Sequence, residues 1–193
     1  MLVSARGLVA LPSFNMKNFE YREFMVDLET LATTPDAHIL SIGACDINNP
    51  DITFYHTVEG KGQNRVTNFS TIKWWLKQSK EAIKSATSRE HVLPIHTMLV
   101  DLSSWIKGNG FTHPWSHGSV FDIIILENAY RQNNLEIPWN FWNVRDTRTL
   151  YETAYRITGK TLKPEREGTH HNALDDAQFQ AQWVRNIRDI LEQ

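Results

Sequence analysis

The residues that could do chemistry fall in three short stretches. FMVDLET, residues 24–30, sets Asp27 and Glu29 one residue apart at the close of an apolar run. Successive side chains on a strand alternate between faces, so the two carboxylates share a side and Leu28 takes the other. Held that close, they repel each other unless protons or cations neutralise them. The second stretch, HGSVFDIIIL, carries Asp122 behind a Gly-Ser turn. The third, THHNALDDAQFQAQW, carries His171, Asp175 and Asp176. Each has an ordinary explanation when taken alone. The first pair fits solvated acids in a turn, Asp122 fits a helix cap, and the third group fits a helix start, where the dipole favours acids. Together they fit a site for a hard divalent cation, which prefers carboxylate oxygens.

The bulk properties are compatible with such a site and exclude several alternatives. At 193 residues, with 41% hydrophobic and 22% charged residues, the chain has the make-up of a globular protein of one domain. A net charge of -2 gives no global basic signature, so a nucleic-acid partner must be held by local patches or through cations. The single cysteine, Cys45, excludes an internal disulfide and a cysteine-rich zinc site, and fits a reducing, cytoplasmic setting. His113 and His117 are separated by Pro114 with no cysteine nearby, which argues against zinc there. Residues 1–20 lack the apolar run of a secretory signal and read as a peripheral extension. No stretch approaches the roughly 18 apolar residues of a membrane span.

The elements that must position these side chains follow from periodicity and punctuation. Strands are expected at residues 21–26, 37–47 and 52–58, the last two divided by the turn cluster Asn48-Asn49-Pro50-Asp51. Short connections make them an antiparallel meander. Ser70 can cap a helix holding Ile72, Trp75 and Leu76, and Ser79 or Lys80 starts another that runs to Ala86. Apolar residues at Val92, Ile95, Leu99, Leu102 and Ile106 predict a helix headed by Ser88 and stopped by Gly108, with Pro94 in its first turn. Residues 114–118 read as a short strand and turn, 122–131 as a helix, 141–144 as a last strand, and 146–158 as a helix ended by Gly159. A polar loop over 160–169 leads into a long helix from 171 or 172 to about 191.

The three stretches, in this order and on these elements, resemble the DEDDh branch of the RNase T and DnaQ-like 3′→5′ exonucleases. DLETL, ILSIGA and TIKWWLKQS look most like the phage exonuclease A and bacterial 3′-exoribonuclease group. The resemblance covers roughly residues 22–191 and implies an α/β, RNase H-like mixed sheet: a three-strand antiparallel meander plus short parallel strands, flanked by helices. It implies a single exonuclease domain over residues 21–193. Asp27, Glu29, Asp122 and Asp176 would hold two Mg²⁺ or Mn²⁺ ions, and His171 would be the general base. Two such ions about 3.5–4 Å apart activate the attacking water and stabilise the leaving oxygen, and imidazole, with an ordinary pKa near 6.5, suits the proton transfer.

One choice stays open in the residues themselves. At about 100° per helical residue, His171 shares a face with Asp175 and lies about 140° from Asp176. The resemblance selects Asp176, with the histidine on the loop ahead of the helix and Asp175 as the alternative. It also assigns the backbone after Asp27 and the Glu29 side chain to the terminal 3′ hydroxyl. Leu28, Thr30, Leu31, Trp75 and Phe121 are then candidate substrate contacts. Trp74 and Trp75 are adjacent, so on a helix one packs and the other can stack a nucleobase. Arg145, Arg148, Lys160, Lys163 and Arg166 are candidate phosphate contacts or a solvated charged loop. The expected activity is release of nucleoside 5′-monophosphates from the 3′ end of DNA or RNA, single- or double-stranded. Trimming of short RNA ends and a non-catalytic nucleic-acid-binding module are the alternatives; the filled ligand set favours an enzyme. RNase T and similar relatives are dimers, which makes a homodimer one expectation. No membrane partner is implied.

Overall fold

The structure, a computed structural model, describes residues 22–90 and 92–192. The extension expected over residues 1–20, and Tyr21 at the start of the first strand, lie outside the described residues. Six strands form one sheet: β1 (Glu23–Thr30), β2 (Ile39–Asp46), β3 (Thr53–Val58), β4 (Val92–Leu93), β5 (His113–Ser116) and β6 (Arg145–Asp146). Their order is β4-β3-β2-β1-β5-β6. The first three form the expected antiparallel meander, while β5 runs parallel to β1, β6 to β5 and β4 to β3. Six α-helices accompany them among the described residues: α1 (Phe69–Trp75), α2 (Lys80–Ala86), α3 (Ile95–Gly108), α4 (Asp122–Gln132), α5 (Thr147–Thr158) and α6 (Ala173–Leu191). No described helix is long and apolar enough to cross a membrane.

Alternation along β1 divides the core. Phe24, Val26 and Leu28 pack with Met98, Leu99 and Leu102 of α3 and Leu126 and Tyr130 of α4. Met25 faces the other way, into a cluster with Ala177, Ala181 and Val184 of α6. Period two then carries Asp27 and Glu29 to the α6 side. Helix α6 approaches closely because Gly43 of β2, paired across from Asp27, has no side chain. A Cβ built there would sit 2.2 Å from the Ala173 carbonyl carbon and the Leu174 nitrogen.

Several boundaries differ from the sequence expectations for identifiable reasons. Strand β1 continues through Thr30, so the paired acids are inside it, with a register shift at Glu29/Thr30. Asn68, not Ser70, caps α1: its side chain accepts from the Ser70 N–H at 2.8 Å. The helix expected from Ser88 begins at Ile95 behind Pro94, and Val92–Leu93 joins the sheet beside β3. Pro94 accounts for this, since proline disfavours helical geometry in the residue before it. The strand expected over residues 141–144 is a single 3₁₀ turn, Phe141–Asn143, and the strand that follows is Arg145–Asp146. The other caps agree with the reading: Ser79 heads α2, Asp146 heads α5, and Gly159 ends α5 at φ +67°.

Candidate active site

Strands β1 and β5 pair only as far as Met25 and Trp115. Beyond that point they part, and a cavity of about 660 Å³ opens at their carboxyl ends. Asp27, Glu29, Asp122, His171 and Asp176 all line it, as do Leu28, Thr30, Phe121 and Trp74. The Leu28 N–H, left without a β5 partner, donates to Asp122 Oδ1 at 3.1 Å and ties the start of α4 to β1. This is also the backbone that the family resemblance assigns to the 3′ hydroxyl. Carboxylate oxygens of Asp27, Glu29 and Asp176 lie within 4.8 Å of one another. Hard oxygen donors this close fit a divalent cation of the magnesium class.

The structure places the two adjacent aspartates differently. Asn172 caps α6, and His171 stands before it at φ +65°, outside the helix. The helical-wheel objection to pairing His171 with Asp176 therefore does not apply. The Asp176 Oδ2 accepts the His171 N–H at 3.1 Å. Asp175 instead accepts the Thr169 N–H at 2.6 Å, bracing a turn whose Gly168 (φ +76°) leaves room for that carboxylate.

Burial raises every acid in the cluster, and repulsion from neighbouring carboxylates adds to it at Asp27 and Glu29. Burial, then Asp122, Glu29 and Asp176, raise Asp27 well above the ordinary carboxylate range. Burial and the charges of Asp176 and Asp122 push Glu29 to about 8. Burial pushes Asp122 to about 7, against the Leu28 hydrogen bond. Burial holds His171 down at about 4, helped by His170 and Arg166. Its imidazole is therefore neutral at pH 7 and able to accept a proton, and Nδ1 lies 3.9 Å from Glu29 Oε1.

These shifts predict how the cation-free protein responds to pH. A carboxyl whose folded pKa is raised binds its proton more tightly in the folded state, so its stabilising contribution fades as pH rises toward that value. For Glu29 and Asp122 the loss extends to about 8 and about 7. The lowered histidines act at the acid side, below about 6.5, where the unfolded chain takes up protons. Between about pH 6.5 and 8, melting in EDTA should therefore fall with pH, and saturating Mg²⁺ should remove most of the fall. Identical slopes with and without the ion would contradict the idea that these carboxyls share a cation.

Residues 22–188 match the Rv2179c-like 3′-5′ exoribonuclease domain family. The chain belongs to that family. It is also similar to an exodeoxyribonuclease of Enterobacteria phage T4, 25% identical, with 76% of this chain and 78% of the relative covered. Product-bound exonuclease I superposes with a TM-score of 0.62 at 12% identity, over 88% of this chain and 43% of that one. The Neurospora crassa Pan2 catalytic unit gives 0.50 at 14% identity, over 89% and 27%. The chain spans less than half the length of either structural neighbour, and at this identity they establish the fold, which is RNase H-like. The family and the relatives make the chain an exonuclease.

Within this exonuclease domain, some expected contacts lie elsewhere. Trp75 is 6% exposed, and its indole N–H donates to the Thr30 carbonyl at 2.9 Å. Leu31 packs beside it with Ala82 and Ala86, and neither Leu31 nor Trp75 lines the cavity. The cavity belongs to Trp74, 42% exposed, with its ring edge-on to His171 at 4.7 Å. Of the five basic candidates, Arg148 lines the cavity, over Gly118, and Arg166 pairs with Asp176. Lys163 lies over the rings of Phe179 and Trp183, and Arg145 donates to the Trp142 and Val144 carbonyls.

Gln180 went unnoticed in the sequence. It is one helical turn beyond Asp176, buried, and donates to Asp27 Oδ1 at 2.7 Å. Its Oε1 has no hydrogen-bond partner among the described residues. The i,i+4 relation to Asp176 was the available signal.

Proposed function

We propose that the chain is a two-cation-dependent 3′→5′ exonuclease, hydrolysing DNA or RNA from the 3′ end and releasing nucleoside 5′-monophosphates. The observation carrying this reading is the meeting of Asp27, Glu29 and Asp176 oxygens within 4.8 Å, in a cavity that also holds Asp122 and His171. Mg²⁺ or Mn²⁺ held by these four carboxylates would supply charge neutralisation and a more acidic attacking water. His171, neutral in its half-buried setting, accepts the proton of that water. The water oxygen bonds to phosphorus, and the bond from phosphorus to the 3′ oxygen of the penultimate nucleotide breaks. The 3′ oxygen takes its proton from solvent, and the terminal nucleotide leaves with its 5′ phosphate. Glu29, which lines the cavity, would also take the terminal 3′ hydroxyl, and that contact would make the enzyme end-dependent. Arg148, which lines the same cavity, suits the strand's phosphates.

The test is digestion of matched single-stranded DNA and RNA, labelled at either the 3′ or the 5′ end, with Mg²⁺ or with EDTA. Immediate loss of a 3′-terminal label as mononucleotide, abolished by EDTA, is expected. The faster polymer names the substrate. A family described as exoribonuclease and a phage relative described as exodeoxyribonuclease make both polymers necessary. Internal cleavage, or hydrolysis indifferent to EDTA, would overturn the reading.

Trp74 is the stacking surface for the terminal base in this proposal. Base stacking on an aromatic contributes about 1–3 kcal/mol, so Trp74→Ala should raise KM roughly 5- to 150-fold. Trp74→Phe should keep most of the affinity. An alanine variant with unchanged KM would show that the ring serves only to pack against His171.

A further inference from the structure

We propose that His170, His171 and Asp176 form a second, overlapping cation site selective for borderline ions such as Zn²⁺, and that filling it silences the enzyme. One ring nitrogen of each histidine and an Asp176 oxygen lie within 4.8 Å of one another. The two imidazole rings are 3.9 Å apart, centroid to centroid. Two imidazoles and one carboxylate are a zinc-type donor set, with a fourth position left for water. The magnesium-class group that shares Asp176 offers oxygens alone. The two sites therefore differ in the ions they favour: imidazole suits zinc, and a carboxylate cage suits magnesium or manganese.

The geometry needs only modest closure. Ligand atoms about 2.0–2.2 Å from zinc are roughly 3.3–3.6 Å apart in a tetrahedron. His170 is exposed and its side chain can rotate to shorten the span, while Asp176 is buried and His171 is held by its N–H on Asp176 Oδ2. The Arg166 guanidinium, which pairs with Asp176 Oδ1, would have to give way. Four acidic side chains in the same cavity raise the local concentration of any divalent ion. A zinc ion there takes the lone pair that His171 needs to accept a proton and engages a carboxylate of the magnesium cage. Binding at this site follows from the residues alone; inhibition rests on the proposed function.

The experiment compares wild type with His170→Gln, an exposed substitution that removes one ligand. Calorimetric titration of the metal-stripped protein with ZnCl₂ should show at least about tenfold weaker binding in the variant. Cobalt(II) in place of zinc should give the intense visible absorption of a tetrahedral site in wild type and not in the variant. In saturating Mg²⁺, with each protein referred to its own zinc-free rate, wild type should be inhibited at least about tenfold more sensitively. Equal zinc affinity and equal inhibition in the two proteins would overturn the site. Absence of any Mg²⁺-supported hydrolysis would count against the proposed function and leave the calorimetry and the cobalt spectrum to judge the site.

Discussion

Asp27→Asn should lower kcat/KM on a 3′-labelled strand by about a thousandfold or more, equivalent to roughly 4 kcal/mol of transition-state stabilisation. The same substitution should raise the melting temperature of the metal-free protein at pH 8. Both effects have one origin. Asp27 is the acid on which the charges of Asp122, Glu29 and Asp176 all converge, and burial adds to their repulsion. Asparagine keeps the shape and still accepts the Gln180 amide hydrogen bond, but removes the charge. What is lost is the attraction for a cation, and what is gained is relief from repulsion in its absence. Sites arranged for function at a cost in stability behave in this way. Activity within tenfold of wild type at saturating Mg²⁺ would remove Asp27 from the cage. An unchanged melting temperature in EDTA would show that the cluster is already neutralised by protons and by Arg166.

Gly43→Ala should be the most damaging single methyl group in the fold. Its Cβ would come within 2.2 Å of the backbone at Ala173 and Leu174, and backbone cannot rotate aside as a side chain can. The first turn of α6 must lift from the sheet. Overpacking of this kind costs about 3 kcal/mol or more, and for a chain of this size that is a fall in Tm of roughly 6–12 °C. The catalytic effect should exceed what instability explains. Asp176 and Gln180 ride on α6, and His171 immediately precedes it, whereas Asp27 pairs directly across from Gly43. A displacement of about 1 Å between the two sets can cost about a hundredfold in rate. Thermal melting and the Mg²⁺-supported rate at 25 °C measure the two effects separately. A variant near wild type in both would mean that α6 has slack where none is visible.

The sequence brought the five candidate residues together more surely than it drew the elements. Asp27, Glu29, Asp122, His171 and Asp176 stood out because the three stretches, each ordinary alone, occur together and in order, and all five line one cavity. Trp74 and Trp75 were not separable, since adjacent positions on a seven-residue helix differ only in what the sheet offers each. The Thr30 carbonyl settles that question, and it belongs to a strand far away in the chain. Gln180 escaped because glutamine is no cation ligand of note, and its significance depends on a partner 153 residues distant. The apolar residues at 141–144 read as a strand because β-propensity does not see exposure: Phe141 and Trp142 are 77% and 63% exposed. The two-residue strands β4 and β6 are too short for any periodicity to announce.

The placement of His171 ahead of its helix carries a consequence for partial unfolding. Asp27 and Glu29 sit on β1, paired on one side along its length and packed on both faces, so their backbone opens only with the molecule as a whole. His171 follows a stretch from Lys160 to Thr169 that is mostly exposed and has no helix or strand of its own. Such a stretch belongs to the low end of the local stability scale. The chain thus keeps Asp27 and Glu29 and the proposed proton acceptor at opposite ends of that scale. A local opening of the 160–171 segment would leave β1 and its two acids in place without His171 beside them. On the proposed mechanism that form could still hold a strand end, and it could not cut it.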